Sequence, residues 1–215
     1  MRRSPPTTNP DSTAGVSTTA SGRPWSLAAA VVIMVAAALV YSHGLGASML
    51  DDDEDGYFYA AWRIAEGEVP YRDFLTPQLP GFMYGGAAVV ATVGPNPRAL
   101  RAWSLVLVLV AGAGVYAAGR ELAGDTAGLA AMAIFLFRED VFLIGRAFRP
   151  EALLLAATTA GLLVFLVADR RQSARGMAAA GLLFALGLVS KLFAALPWAA
   201  TVAFIAAGIA TGRRP

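Results

Sequence analysis

Long apolar stretches separated by short polar links make up most of this chain. The first stretch, Trp25 to Leu45, has about 20 nearly uncharged residues, which is enough to cross ~30 Å of hydrocarbon. Further apolar runs follow the polar segment 48–78, namely Leu79–Gly94, Leu100–Gly119, Leu122–Phe137, Ala152–Ala168, Met177–Ser190 and Leu192–Ala210. The pattern predicts an all-α, polytopic transmembrane helical bundle with six or seven membrane segments.

The residues before the first apolar stretch differ from it in composition. Positions 1–24 are rich in Ser, Thr, Pro and Gly and contain few apolar side chains. Such a segment cannot bury enough surface to fold, so we expect a disordered tail. Its arginines, Arg2, Arg3 and Arg23, place it in the cytoplasm by the positive-inside rule. Residues 25–215 then form the transmembrane domain, with 48–78 as its polar first loop outside the cytoplasm.

The polar loop predicts one amphipathic helix, from Asp55 to Glu66. Its apolar stripe is formed by Phe58, Ala61, Trp62 and Ala65, and Gly67 follows as a C-terminal cap. A stripe that carries aromatic residues suits a helix that lies at a membrane interface. Pro77 and Pro80 then prevent a regular helix before Gly81.

The run Leu79–Gly94 leaves the topology open. At sixteen residues and 1.5 Å per residue it reaches only about 24 Å. Nine basic residues lie inside and eight outside whether or not this run crosses, so the positive-inside rule does not decide. We favour a run that dips in without crossing, because the basic clusters Arg170-Arg171/Arg175 and Arg213-Arg214 then lie inside.

Composition excludes several classes of protein. The chain is 57% hydrophobic and 15% charged, and its mean hydropathy is +0.57. A water-soluble core could not bury so much apolar surface. The sequence has no cysteine, which excludes disulfides and thiolate metal sites. The arginines are scattered at helix ends rather than along one face, so we do not expect nucleic-acid binding.

Consecutive acidic residues, Asp51 to Asp55, follow the first apolar stretch. Like charges beside a low-dielectric membrane repel one another, so the cluster needs a reason. General-base chemistry, cation binding and helix capping are three explanations. One acid is enough to cap a helix, and this favours a functional role for at least one of the others. Clustered carboxylates would also suit a divalent cation, although the sequence identifies no further ligands and no other cofactor.

Two further sites carry charge at the ends of apolar runs. Lys191 is the only lysine, and an ammonium between two apolar runs needs an anion or a route to water. Arg149-Pro150-Glu151 stands at the start of another run. An ordinary helix start explains this second site equally well, because Pro150 suits the first turn and Glu151 suits the positive end of the helix dipole. For each of these two sites, a functional role and an ordinary structural role both remain open.

The stretch DEDGYFYAAWRIAEGEVPYRDFLTPQLPGFMY, Asp53 to Tyr84, resembles a known family. It is similar to the first loop of the integral-membrane GT-C glycosyltransferases of the dolichyl-phosphate-mannose–protein mannosyltransferase and aminoarabinose transferase type. A weaker likeness continues through Arg149-Pro150-Glu151 and Lys191-Leu192-Phe193, so the resemblance covers the chain from Trp25 to its end.

The resemblance implies transfer of a sugar from a polyprenyl-phosphate donor to an acceptor on the outer side of the cell membrane. In the family a first-loop carboxylate acts as general base or orients the acceptor, and here Asp53, Glu54 and Asp55 compete for that role. Such chemistry is reasonable, because a hydroxyl or amine that attacks an anomeric carbon must lose a proton to a group within hydrogen-bond reach.

Donor-binding residues are implied as well. The positions that the resemblance assigns to the lipid phosphate or its cavity are Arg149, Glu151 and Lys191. Arg72 is a candidate substitute for a basic phosphate contact of the family that is missing here, and a loop clasp formed by Tyr71, Arg72 and Asp73 explains it equally well. The sequence departs from the family pattern at two points. Leu192 replaces the glycine that usually follows the lysine, and Gln78-Leu79-Pro80 replaces a Lys-Pro-Pro entrance to the second apolar segment.

Family members are usually longer than these 215 residues. We therefore expect an N-terminal fragment or a truncated member, whose activity requires a second polypeptide to complete the transferase. The alternative, from a different class, is a non-catalytic membrane subunit or transport-related protein whose acidic loop binds cations or a partner.

Overall fold

The computed structural model describes residues 24–47 and 52–211, although the side chain of Asp52 is not described. Within these ranges the chain forms α-helices and one 3₁₀ turn, Leu192–Ala194, and it has no β-strand. The helices are α1 Pro24–Ser42, α2 Asp52–Ala65, α3 Gly81–Val93, α4 Pro97–Ala123, α5 Asp125–Leu136, α6 Glu139–Arg146, α7 Pro150–Arg170, α8 Ala174–Leu188 and α9 Ala195–Ala210. The predicted all-α class is confirmed, whereas the predicted tail lies almost wholly outside the described residues.

Local sequence signals set the ends of these helices. Asn96 accepts hydrogen bonds from the backbone of Arg98 at 3.0 Å and Ala99 at 3.4 Å, which caps α4. Pro150 occupies the first turn of α7, where its missing N–H costs nothing. Gly124 has a φ of 87°, a left-handed conformation that lets the chain end α4 and begin α5 at a single residue.

The bundle has two ends, which contacts between helices define. At one end, Arg101 near the start of α4 bonds the carbonyls of Leu45 and Ala47, which follow α1. We call this end the loop face. At the other end, Arg170 at the end of α7 pairs with Glu121 at the end of α4, with 2.6 Å between Nη1 and Oε2. We call that end the tail face, because α1 begins there.

In the described part of the chain, six helices run between the two faces: α1, α4, α5, α7, α8 and α9. Helix α5 begins at the tail face, where Arg120 pairs with Asp125 at 2.8 Å. It ends at the loop face, where the Tyr41 hydroxyl donates to the Leu136 carbonyl at 2.6 Å. α8 follows α7 at the tail face and returns to the loop face, where the Ser190 hydroxyl donates to the Pro150 carbonyl at 2.7 Å.

The bundle has the length and composition of a membrane domain. The helices Pro24–Ser42, Pro97–Ala123 and Pro150–Arg170, together with the stretch Leu192–Ala210, are long and apolar enough to cross a bilayer. Gly81–Val93, Asp125–Leu136 and Ala174–Leu188 are apolar but shorter. The chain is therefore a multi-pass membrane protein.

Helix α3 lies across the loop face and does not cross to the tail face. At its start, the Gly81 N–H donates to the Val189 carbonyl at 2.9 Å, just after α8 reaches the loop face. At its end, Val93 is separated from Pro97, the first residue of α4, by only three residues. Because both ends lie at the loop face, the alternative in which Leu79–Gly94 dips without crossing agrees with the structure.

Helix α2 packs against α3 with a stripe that is rotated from the predicted one. Phe58, Ala61 and Ala65 contact the core as expected, and Tyr57 and Ala60 are buried beside them. Trp62, which the sequence pattern placed on the stripe, is 38% exposed. The rotation follows from Glu54 at the head of the helix, which is turned inward.

Candidate functional site

A buried ion pair at the loop face joins α2 to α4. Arg101 donates from Nε to Glu54 Oε1 at 2.7 Å and from Nη2 to Glu54 Oε2 at 2.8 Å. The Phe148 N–H donates a third hydrogen bond to Oε1 at 2.8 Å. The two side chains are 2% and 4% exposed. Such a two-point pairing of guanidinium with carboxylate is among the strongest polar contacts in proteins.

The same arginine also holds the end of α1, through the carbonyls of Leu45 at 3.0 Å and Ala47 at 2.5 Å. The ion pair therefore fixes α1, α2, α4 and the link between α6 and α7 relative to one another. Both oxygens of Glu54 accept hydrogen bonds from the protein, so this acid is occupied by the fold.

Asp53 and Asp55 flank Glu54 and are exposed. Successive helical residues are rotated by about 100°, so turning Glu54 inward leaves its two neighbours on the sides of α2. Asp53 Oδ2 lies 3.8 Å from Arg149 Nη2, and these side chains are 66% and 28% exposed. Of the three predicted base candidates, Asp53 is thus the one placed beside another predicted site residue.

Glu151 and Lys191 form a second ion pair at the loop face. It joins Glu151 Oε1, in the first turn of α7, to Lys191 Nζ, just before the 3₁₀ turn. Each side chain is about four-fifths buried, at 21% and 20% exposure. Lys191 Nζ also lies 5.7 Å from the centre of the Phe193 ring, within reach of a cation–π contact.

The two pairs combine into one array because Arg149 and Glu151 are separated only by Pro150. We call Asp53, Arg149, Glu151 and Lys191 the polar row. It gathers four of the seven predicted site residues, drawn from α2, the start of α7 and the turn after α8. Opposite charges alternate along it, so each charged group has a neighbour of the opposite sign.

A cleft opens at the Lys191 end of the polar row. Its volume is about 270 Å³, and it is lined by Pro77, Gln78, Leu79, Lys191, Leu192 and Phe193. Leu192 is 68% exposed and Phe193 is 67% exposed. The cleft therefore offers one cation beside an apolar rim, an arrangement that suits an anionic group attached to a hydrocarbon chain.

Arg72, the remaining donor-binding candidate, is engaged locally. It donates from Nε and Nη2 to the two oxygens of Asp73, at 2.9 Å and 2.7 Å. This contact and the Val69 N–H lower the pKa of Asp73 to about 2, and the same hydrogen bond raises the pKa of Arg72. The turn reaches the cleft through Tyr71, whose hydroxyl donates to the Gln78 carbonyl at 2.5 Å.

The cation-binding alternative depends on the acidic cluster. Within residues 24–47 and 52–211, no group of three His, Cys, Asp or Glu side chains is arranged to hold a metal ion. Asp51 and the side chain of Asp52 lie outside the description.

Sequence reasoning missed Arg101, the partner that decides the position of Glu54. A signal for it existed, because Arg101 stands at the head of an otherwise apolar run, where a cation needs an anion. Nothing in the sequence identified which acid would meet it. Phe148, whose backbone completes the contact, carries no signal of its own.

The fold and site define a class: a multi-pass helical membrane protein with a row of paired charged side chains at one end of the bundle. Residues 77–214 match the family described as dolichyl-phosphate-mannose-protein mannosyltransferase. The chain belongs to this family of GT-C glycosyltransferases. No curated protein and no solved structure gives a match to the chain. The family match contains Arg149, Glu151 and Lys191, and it begins after the acidic cluster and Arg72.

Proposed function

We propose that the chain transfers a sugar from a polyprenyl-phosphate donor to an acceptor at the loop face, together with a second polypeptide that completes the transferase. The observation that carries this proposal is the polar row. It connects an exposed carboxylate, Asp53, to a lysine beside an apolar cleft, within a protein of a glycosyltransferase family.

Lys191 is the proposed contact for the donor phosphate. Its ammonium is held at the cleft by Glu151, so its position is fixed before any ligand arrives. The apolar rim of Leu192 and Phe193 suits the first part of a lipid tail. Arg149, two residues from Glu151, is the second cation within the row. Arg72 contributes less in this proposal, because Asp73 already occupies its guanidinium.

Asp53 is the proposed general base. The acceptor oxygen or nitrogen forms a bond to the anomeric carbon, and its proton passes to the Asp53 carboxylate. The bond from that carbon to the phosphate oxygen breaks, and the electron pair leaves with the lipid phosphate. Lys191 and Arg149 stabilise the negative charge that develops on this leaving group. Glu54 supports the reaction only by fixing α2, since its oxygens are buried.

The proposed orientation puts the loop face outside the cytoplasm and the N-terminus inside. Support comes from Arg170, Arg171 and Arg175, which lie at the tail face around the link between α7 and α8. A link that is rich in arginine or lysine marks the cytoplasmic side in multi-pass membrane proteins.

The test is a transfer assay on membranes that contain the full chain and a radiolabelled polyprenyl-phosphate sugar. Replacing Asp53 with Asn should lower the turnover by about 10²–10⁴-fold, the usual contribution of a general base. Asp140→Asn is the matched control, because Asp140 is another exposed loop-face acid that pairs with Arg138 outside the polar row. We expect the control to keep its turnover.

Immunoblots should show equal amounts of both variants in the membrane. Full turnover in Asp53→Asn would remove Asp53 from the mechanism. Absence of turnover in the unmodified chain, even with candidate partner polypeptides supplied, would instead favour a non-catalytic membrane subunit.

A further inference from the structure

Helix α9 joins the bundle loosely and leaves a groove beside α8. None of its residues is buried within the described part of the protein. Two adjoining cavities of about 230 Å³ each lie between α9 and its neighbours, and both are lined by Gly181, Phe184 and Trp198. We call this pair of cavities the α8–α9 groove.

The groove runs from the loop face into the layer between the faces. Leu188 and Ala194 line its upper part, whereas Phe165, Met177 and Ile205 line its lower part. From Ala194 to Ile205 the helix advances by roughly 16 Å, about half of a hydrocarbon layer. A groove of this depth can hold a substantial length of a single hydrocarbon chain.

The walls of the groove are apolar. The polar side-chain groups of its lining are the Thr201 hydroxyl and the Trp198 indole N–H, and the hydroxyl donates to the Pro197 carbonyl at 2.8 Å. The aromatic side chains of Phe184 and Trp198 face it from α8 and α9. Because the lining is almost entirely hydrocarbon, the groove suits hydrocarbon rather than water or sugar.

The top of the groove is tied to the polar row. The Lys191 N–H donates to the Gly187 carbonyl at 3.0 Å, and the Ala194 N–H donates to the Lys191 carbonyl at 3.1 Å. One hydrogen-bonded turn thus carries the lysine of the cleft and the upper wall of the groove. A molecule that suits both needs an anionic head and a long apolar tail.

We propose that the α8–α9 groove holds the isoprenoid tail of the lipid-phosphate donor while Lys191 holds its phosphate. This inference rests on the proposed function for the identity of the head group. It adds the place of the tail and a role for α9, whose loose packing lets a long, methyl-branched chain enter from the surrounding lipid. The tail then anchors the phosphate at the polar row.

Gly181 offers a direct test of the groove. A side chain built on Gly181 would meet no atom within 4 Å at its first carbon, so a larger residue can be accommodated there. Gly181→Trp should fill the groove without disturbing the bundle. Leu182→Trp is the matched control, because Leu182 is the next residue of α8, is 73% exposed and does not line the groove.

The probe is a C55 polyprenyl phosphate with a photoreactive diazirine within the first few isoprene units after the phosphate, added to the purified full chain. We expect crosslinks in the peptides that contain Phe184 and Trp198. Gly181→Trp should reduce them at least tenfold, and Leu182→Trp should leave them unchanged.

Lys191→Gln should weaken the binding of this probe but not that of an uncharged polyprenol. Equal competition by phosphatidylglycerol would overturn the inference, since the groove would then hold ordinary membrane lipid.

Transfer assays separate this inference from the proposed function. With a C55 donor, Gly181→Trp should raise the KM about tenfold, whereas with a C10 donor the KM should not change. Transfer in the unmodified chain without crosslinks in the groove would overturn the tail site and leave the transferase standing. Crosslinks in the groove without transfer from any donor would support the tail site and contradict the proposed function.

Discussion

The ion pair between Glu54 and Arg101 is a stabilising contact only while both partners are present. Moving two charges out of water is costly, and their attraction offsets that cost when the geometry is good and the remaining donors are satisfied. Here the carboxylate accepts three hydrogen bonds, and the guanidinium also reaches two carbonyls that follow α1. Removing one partner leaves the charge of the other buried and unpaired.

Glu54→Gln or Arg101→Gln should therefore destabilise the protein by about 3–5 kcal/mol, the cost of an unpaired buried charge. The measurement is thermal unfolding in detergent, followed by tryptophan fluorescence. Glu54→Gln combined with Arg101→Gln should lose less than the two single changes together, because neither charge is then left unpaired. Asp140→Asn, which breaks an exposed pair, is the control and should leave the melting temperature unchanged. Additive losses in the double variant would contradict the coupling.

Sequence alone could not distinguish the three neighbouring acids Asp53, Glu54 and Asp55. They differ by one or two positions, but on a helix each step rotates the side chain by about 100°. Which one faces inward is decided by Arg101, 47 positions further along the chain from Glu54. Tertiary contacts of this kind leave no local pattern, whereas the charge of Lys191 between apolar runs was visible without them.

At the level of helices, hydrophobicity predicted which segments are helical, whereas tertiary packing determined the course of each helix and the side that it buries. Apolar composition indicated α3 but not its course across the loop face. That course depends on a short link to α4 and on the contact between Gly81 and Val189. The rotation of α2 likewise follows from the buried pair, since its apolar pattern alone tolerated Trp62 on the packed side.

Gly86 on α3 lets Phe148 approach closely and so supports the site. A Cβ at this position would lie 2.3 Å from Phe148 Cζ, closer than any real contact. Gly86→Val should therefore shift Phe148, whose N–H bonds Glu54, and destabilise the protein by about 1–3 kcal/mol. Gly56→Ala on α2 is the control, because nothing lies within 4 Å of its new carbon. Alanine also favours a helix over glycine by about 0.5–1 kcal/mol, so this control should melt no lower than the unmodified chain.

At the level of the whole molecule, the proposed chemistry depends on all of the polar row lying on one side of the membrane. Asp53, Arg149 and Lys191 come from segments that are far apart in sequence, and the bundle brings them together because α1, α5 and α8 end where α4, α7 and α9 begin. Within the described residues, the alternating directions of the helices that run between the two faces produce this arrangement. An additional crossing by α3 would have separated the acidic helix from the lysine.

The native chain has no cysteine, which makes this topology directly measurable. Leu75→Cys at the loop face, 89% exposed, should react with a membrane-impermeant maleimide added to intact cells. Val93→Cys, at the end of α3, should react from the same side, because α3 does not cross. Gln172→Cys, in the tail-face link between α7 and α8, should react only after the membrane is opened.

The opposite labelling pattern would put the acidic helix α2 in the cytoplasm, where an acceptor outside the cell could not reach Asp53. Labelling of Val93→Cys and Leu75→Cys from opposite sides would instead make α3 a true span and break up the polar row.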